Sequence, residues 1–224
     1  MKYKNEIKRR LNIKVQINFN VAKKKGKKTM KHTKEIKNVL KNYQKVAQGI
    51  EAKIKEAEAI YQPDEAEKRI ADLRDSLEAE KLKAQSVISE LANDGRKDAK
   101  AFGELDGDKI TSDYKLLEAN AISPEKFGAM VEKYKDNGTM SHLLAEYAER
   151  RNKTIREEHK SDPLNAPLFD ASGIVTGELM EQRYTHEEKS ALSIIDMMSG
   201  GFLGGTQSSM VDVAIDRFGE DIGV

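Results

Sequence analysis

From Ile36 onward the apolar side chains fall at Ile36, Leu40, Tyr43, Ala47, Ile50, Ile54, Ala57 and Tyr61. The steps alternate four and three, and Lys, Glu and Gln fill most of the positions between. A helix brings residues at this spacing onto one stripe, so the pattern predicts a long amphipathic helix with a coiled-coil seam. Pro63 interrupts it, because proline is tolerated in the first turn of a helix but not in its interior. A second helix is therefore predicted from Pro63, with Asp64, Glu65 and Glu67 at its positive end. Its seam runs through Ala66, Ile70, Leu73, Leu77, Glu80, Ala84, Val87 and Leu91, and Asn93-Asp94-Gly95 predicts its end. Two seams of similar length allow a hairpin folded back on itself, a kinked rod, or a seam shared between chains. The near-unbroken run favours a shared seam, which assigns a homo-oligomer interface to Ile36, Leu40, Tyr43, Ala47, Ile50, Ile54, Ala57, Tyr61, Ile70, Leu73 and Leu77.

Beyond Gly95 the pattern tightens. "RKDAKAFGELDGDKI" is a short helical piece or loop, punctuated by Gly103 and Gly107. "SPEKFGAMVEKYKDNG" opens with Ser123 as N-cap and Pro124 at the first helical position, and Asn137-Gly138 predicts its C-terminal stop. Thr139 is expected to cap "TMSHLLAEYAERRN". A small core is expected from Leu116, Leu117, Ile122, Phe127, Met130, Val131, Tyr134, Met140, Leu143, Leu144 and Tyr147. "KSDPLNAPLFDASGIVTG" has the Pro, Ser, Asp and Gly content of a linker. Thr185 with Glu188 is the capping-box pair for a helix over "THEEKSALSIIDMMSG". A Gly-rich turn, "GGFLGGT", leads to a last helix in "SSMVDVAIDRFGEDIGV". The fold expected is all-α: a long helical hairpin or coiled coil followed by small helical modules. Its segments are 1–29, 30–92, 93–160 and 161–224.

Composition sharpens this picture. Charged residues are 34% of the chain and apolar residues 38%, against roughly 25% and 45–50% in ordinary domains. Helices exposed over much of their circumference fit those proportions better than a compact enzyme. There is no Cys, which excludes disulfides and thiolate metal sites. No apolar run approaches the roughly 20 residues of a membrane span, and a cytosolic protein with no membrane partner is expected.

The net charge of +1 conceals an asymmetry. Residues 1–29 hold eleven Lys or Arg and one acid, Glu6, hence +10, which leaves −9 for the rest. This stretch is rich in Lys, Asn, Ile, Phe and Tyr, and the regular helical pattern begins directly after Met30. One expectation is that the natural product starts at Met30 and that 1–29 is an upstream extension. The competing one is a basic arm that binds nucleic acid or an acidic partner, in which Ile13, Val15, Ile17, Phe19 and Val21 alternate as in a strand. Without that arm the acidic body is a poor match for nucleic acid.

Candidate chemistry is sparse. "SGGFLGGTQSS" lacks the Lys-Ser/Thr that a phosphate loop needs after its last Gly, and it reads as a turn between two helices. His32, His142, His159 and His186 have no second ligand at helical metal spacing. The basic "ERRNKTIR" fits a solvated helix end, where cations meet the negative pole. No catalytic residue, cofactor or metal is assigned. In the acidic C-terminal region, Met197, Met198, Phe202, Leu203, Met210, Val211 and Ile215 are expected to offer apolar contacts to a partner. Methionine suits such surfaces because it repacks easily.

A charged coiled coil with "AIYQPDEAEKRIADL" is followed by "DYKLLEANAISPEKFGAMVEKYKDNGTMSHLLAEYAERRN" and an acidic helical pair. In this order the chain resembles head-module proteins of tailed bacteriophages and prophages, many of them presumed scaffolds. The resemblance covers most of Met30 to Arg151. It implies a non-enzymatic, self-associating assembly protein in the cytoplasm of a bacterial host or in the phage capsid or procapsid. Its partner would be the coat or portal protein. Scaffold ends that contact coat protein can be basic, whereas this one is acidic.

Overall fold

A computed structural model describes residues 31–200 and 206–219. Among these residues the chain is all-α, with no strand. Seven helices follow one another: α1 (Lys31–Ile60), α2 (Pro63–Gly103), α3 (Tyr114–Glu118), α4 (Pro124–Tyr134), α5 (Gly138–Glu158), α6 (Gly177–Ser199) and α7 (Thr206–Arg217). Two single-turn 3-10 helices, Gly107–Lys109 and Pro163–Asn165, lie in the connections. No helix among the described residues is long and apolar enough to cross a membrane. The described residues divide into two compact units, one of residues 99–180 and one of residues 31–98 with 181–219. This division differs from the segments expected from sequence: the boundary at 92/93 falls inside α2, and the C-terminal helices join the N-terminal ones.

In the second unit, α1 and α2 form an antiparallel hairpin. His32 at the start of α1 meets Asp98 near the end of α2, Nε2 to Oδ2 3.1 Å, so the kinked rod is excluded. At 1.5 Å per residue α1 is about 45 Å long. α6 runs antiparallel to α2, with Arg96 on Glu188 at 2.6 Å and Lys81 on Asp196 at 3.1 Å. α7 runs antiparallel to α1: Lys37 donates to the Asp216 carbonyl at 2.5 Å and Gln44 to Asp212 at 2.7 Å. Four helices thus enclose one core around Ile36, Leu40, Tyr43, Ala84, Ile88, Ala92, Ile195, Met198, Val211 and Ile215.

Asn93-Asp94-Gly95 does not end a helix, for α2 continues through it to Gly103. Gly95 serves packing instead: a Cβ there would lie 2.6 Å from the ring of Tyr184. The buried stripe of α2 also leaves the predicted register. After Ala84 it passes through Ile88 and Ala92, while Val87 is 37% exposed. A strict seven-residue repeat drifts around a 3.6-residue helix, and here α2 faces α6 as well as α1. Nor does α6 begin at Thr185. Thr176 caps it, accepting from the Leu179 amide at 3.3 Å, and Thr185 lies inside the helix with its hydroxyl on the Glu181 carbonyl.

The first unit gathers Leu117, Ile122, Phe127, Met130, Val131, Tyr134, Met140, Leu144 and Tyr147 into a second core, while Leu116 is 47% exposed. Ser123 caps α4 as the sequence suggests. Asn137 acts in the other direction from its expected role: its side-chain Oδ1 accepts from the Met140 amide at 3.1 Å and so starts α5. A Cβ on Gly138 would fall 1.7 Å from the Phe102 carbonyl oxygen, so only glycine fits there. Part of the supposed linker is core. Asn152 clamps the backbone of Phe169, accepting from its N–H at 2.7 Å and donating to its carbonyl at 2.9 Å. The Phe169 ring packs edge-on against Phe127 and Tyr147, with both centroids at 5.3 Å.

Candidate functional site

The base of the hairpin is closed by a buried polar chain. Glu187 is wholly buried. It accepts from the Thr33 hydroxyl at 2.7 Å and from Arg183 Nε at 3.0 Å, and Arg183 Nη2 reaches the Gly219 carbonyl at 3.0 Å. A buried carboxylate survives only when paired and hydrogen-bonded, and these partners tie α1, α6 and the end of α7 together. Beside it, burial first and the Glu187 charge second push the Tyr184 hydroxyl up to about 12. Burial likewise raises Tyr43, whose hydroxyl bonds Ser199 at 2.7 Å. His32 completes the closure, set between Glu35 at 3.0 Å and Asp98 at 3.1 Å.

Beyond the base the hairpin is bare. Among the described residues, none between 48 and 76 belongs to the four-helix core. In this arm Ile50, Ile54, Tyr61, Ile70 and Leu73 are only partly buried, while Leu77, at its root, packs against the four-helix core. Close to the turn, Ala57 and Ala66 are buried, Ile60 is 64% exposed, and the Arg69 guanidinium lies 3.9 Å over the Tyr61 ring. The seam proposed from the sequence is therefore split. Ile36, Leu40, Tyr43 and Ala47 fill the chain's own core, which corrects their assignment to a surface between chains: α6 and α7 already cover them. The remaining members of the seam lie along the arm, except Leu77, which packs against the same core.

The C-terminal contact residues divide in the same way. Met198, Val211 and Ile215 are buried in the four-helix core, which corrects their assignment to a partner. Met197 is half-buried against that core, and Met210 stands 66% exposed. Phe202 and Leu203, like residues 1–29 and Met30, lie outside the described residues. Two histidines do have a carboxylate at helical spacing, which corrects the sequence reading: His142 meets Glu146 at 3.3 Å and His32 meets Glu35 at 3.0 Å. Among the described residues, however, no group of His, Asp and Glu is placed to hold a metal ion. Two features carried no sequence signal: the buried Glu187, which sits in what reads as a capping box, and a cleft between α3 and α5. No protein family, curated protein or solved structure matches the chain.

Proposed function

We propose that this chain is a non-enzymatic structural or assembly protein of a tailed bacteriophage or prophage, scaffold-like and acting through self-association. The observation that carries the reading is the arm: a two-helix extension whose apolar stripe is fully covered at its base and only partly covered along residues 48–76. A second arm laid along Ile50, Ile54, Ile70 and Leu73 would cover it as α6 covers the base. The resemblance of the central segments to phage head-module proteins supplies the setting. With Met198, Val211 and Ile215 committed to the core, contacts to a coat or portal protein fall to exposed Met210 and its neighbour Val213, 50% exposed.

Mass spectrometry of precursor heads and finished particles from an induced host tests the setting. The chain is expected in precursor heads, and absence from both samples would sink the reading. Salt-sensitive DNA binding by the full chain, lost when residues 1–29 are removed, would favour the basic arm and a nucleic-acid-binding or regulatory role. Sedimentation of an Ile54→Asp variant tests the mechanism separately: the oligomer is expected to dissociate.

A further inference from the structure

The stripe that runs through Ile36, Leu40, Tyr43 and Ala47 continues into Ile50 and Ile54. α6 and α7 pack on its first part alone. Ser199, the last residue of α6, marks where this covering layer stops, with its hydroxyl 2.7 Å from that of Tyr43. Past Ala47 the same side of the hairpin carries Ile50, Ile54, Ile70 and Leu73, all half-buried. Among the described residues none of the four belongs to the core that α6 and α7 close.

That layer decides how a second arm can lie on the first. Packed helices stand about 8–10 Å apart, so a second arm on the open stripe occupies the same layer as α6 and α7. Laid tip to tip, the second hairpin would run its root into the space that α6 and α7 already fill. Laid tip to root, it begins where they leave off, and its own body lies beyond the turn of the first arm. Charge points the same way. Residues 56–68, at the tip, hold five carboxylates and one Lys, hence −4. The rest of the arm, 48–55 with 69–76, holds four Lys or Arg against three acids, hence +1. Tip on tip brings like charges together, whereas tip on root brings opposite ones.

We propose that the arm binds the arm of a second copy of this chain, antiparallel and tip to root, in a two-fold symmetric dimer. Ile50, Ile54, Ile70 and Leu73 face their counterparts, so that one patch serves both sides of the contact. The two-fold axis passes near Ile54. From there the turn at Gln62 is about 12 Å away at 1.5 Å per residue, so each turn reaches the level of Ala47 on the other chain, where the covering layer stops. This orientation rests on the self-association proposed above and adds to it the geometry of the partner.

The chain has no Cys, so single cysteines in the full-length protein report the arrangement. Gln48→Cys lies at the root of the arm and Gln62→Cys at its tip, both at exposed positions. A short bismaleimide is expected to join the two variants when they are mixed, and to join neither to itself. Linking of Gln62→Cys to itself would put tip on tip and overturn the orientation while leaving self-association intact. A dimer that gives no mixed product would do the same. A chain that sediments only as a monomer would overturn self-association and the orientation together. Glu58→Lys with Glu67→Lys, both exposed, removes the charge excess of the tip. This pair should weaken the dimer by roughly three- to tenfold at low salt and by little at about 1 M salt. An unchanged or tighter dimer at low salt would overturn the orientation, because only acidic tips that meet each other gain from the change.

Discussion

Near the base of the hairpin Ile36, Leu40 and Ala47 are each 0% exposed. Along the arm Ile50 and Ile54, on the same stripe of the same helix, keep part of their surface in solvent. The apolar pattern does not distinguish the two stretches, since residue type and spacing on the stripe are alike. The difference is supplied by α6 and α7, which pack on the first and stop short of the second. Periodicity therefore identifies a stripe that must be covered. What covers it, and how completely, is decided by segments far away in the chain.

Four measurements sharpen or break this contrast. The largest effect is expected from Glu187→Ala at the base, which leaves Arg183 and Thr33 without their shared partner. Breaking a buried charge pair from one side costs about 3–5 kcal/mol, readable as a fall in urea midpoint. Next is Leu40→Ala, where a cavity in a fully covered site costs about 2–5 kcal/mol. The matching change in the arm, Ile54→Ala, should cost only about 1 kcal/mol in the monomer, because a partly exposed side chain loses less on truncation. If the two truncations cost the same when measured below the association range, the contrast between base and arm fails.

The smallest effect is seen in an alkaline titration. The Tyr184 hydroxyl is raised from 10.0 to about 12 and Tyr43 is also raised, chiefly by burial. The fold favours their neutral forms, so this stabilisation is complete below pH 10 and disappears as pH rises toward 12. NMR signals of Ile195 and Met198 at the base should therefore broaden on that rise before those of Ile54 and Ile70. Simultaneous loss would show that the arm has no stability apart from the base.

Much of the fold could be read from the chain because its signals are local. The α1 stripe, the break before Pro63, and Ser123-Pro124 at the head of α4 each depend on residues within a turn or two. The failures share a cause. Gly95 looks like a helix stop because glycine there is costly, but the reason for it is a tyrosine ring from residue 184. Asn137-Gly138 looks like an end and forms a beginning, since an asparagine with glycine suits either terminus and the carbonyl of Phe102 decides. Thr185 and Glu188 have the spacing of a cap, yet Glu188 is engaged with Arg96 at 2.6 Å. For the candidate site, the arm residues were on the predicted stripe, whereas the α3–α5 cleft arises from two helices meeting and has no linear signature.

The closure around Glu187 also sets an order of events. Thr33 and Glu187 are 154 residues apart in the chain, and Lys37 and Asp216 are 179 apart. The arm joins residues close in sequence and can zip as soon as α2 has been made, whereas contacts of high sequence separation form slowly. On a ribosome, with synthesis running from the N-terminus, the hairpin emerges with its base open. It stays so until residues 216–219 have been added. The stretch around Gly219 thus turns the key in the lock, because a chain without it would keep its arm and lose the Arg183 contact at its root.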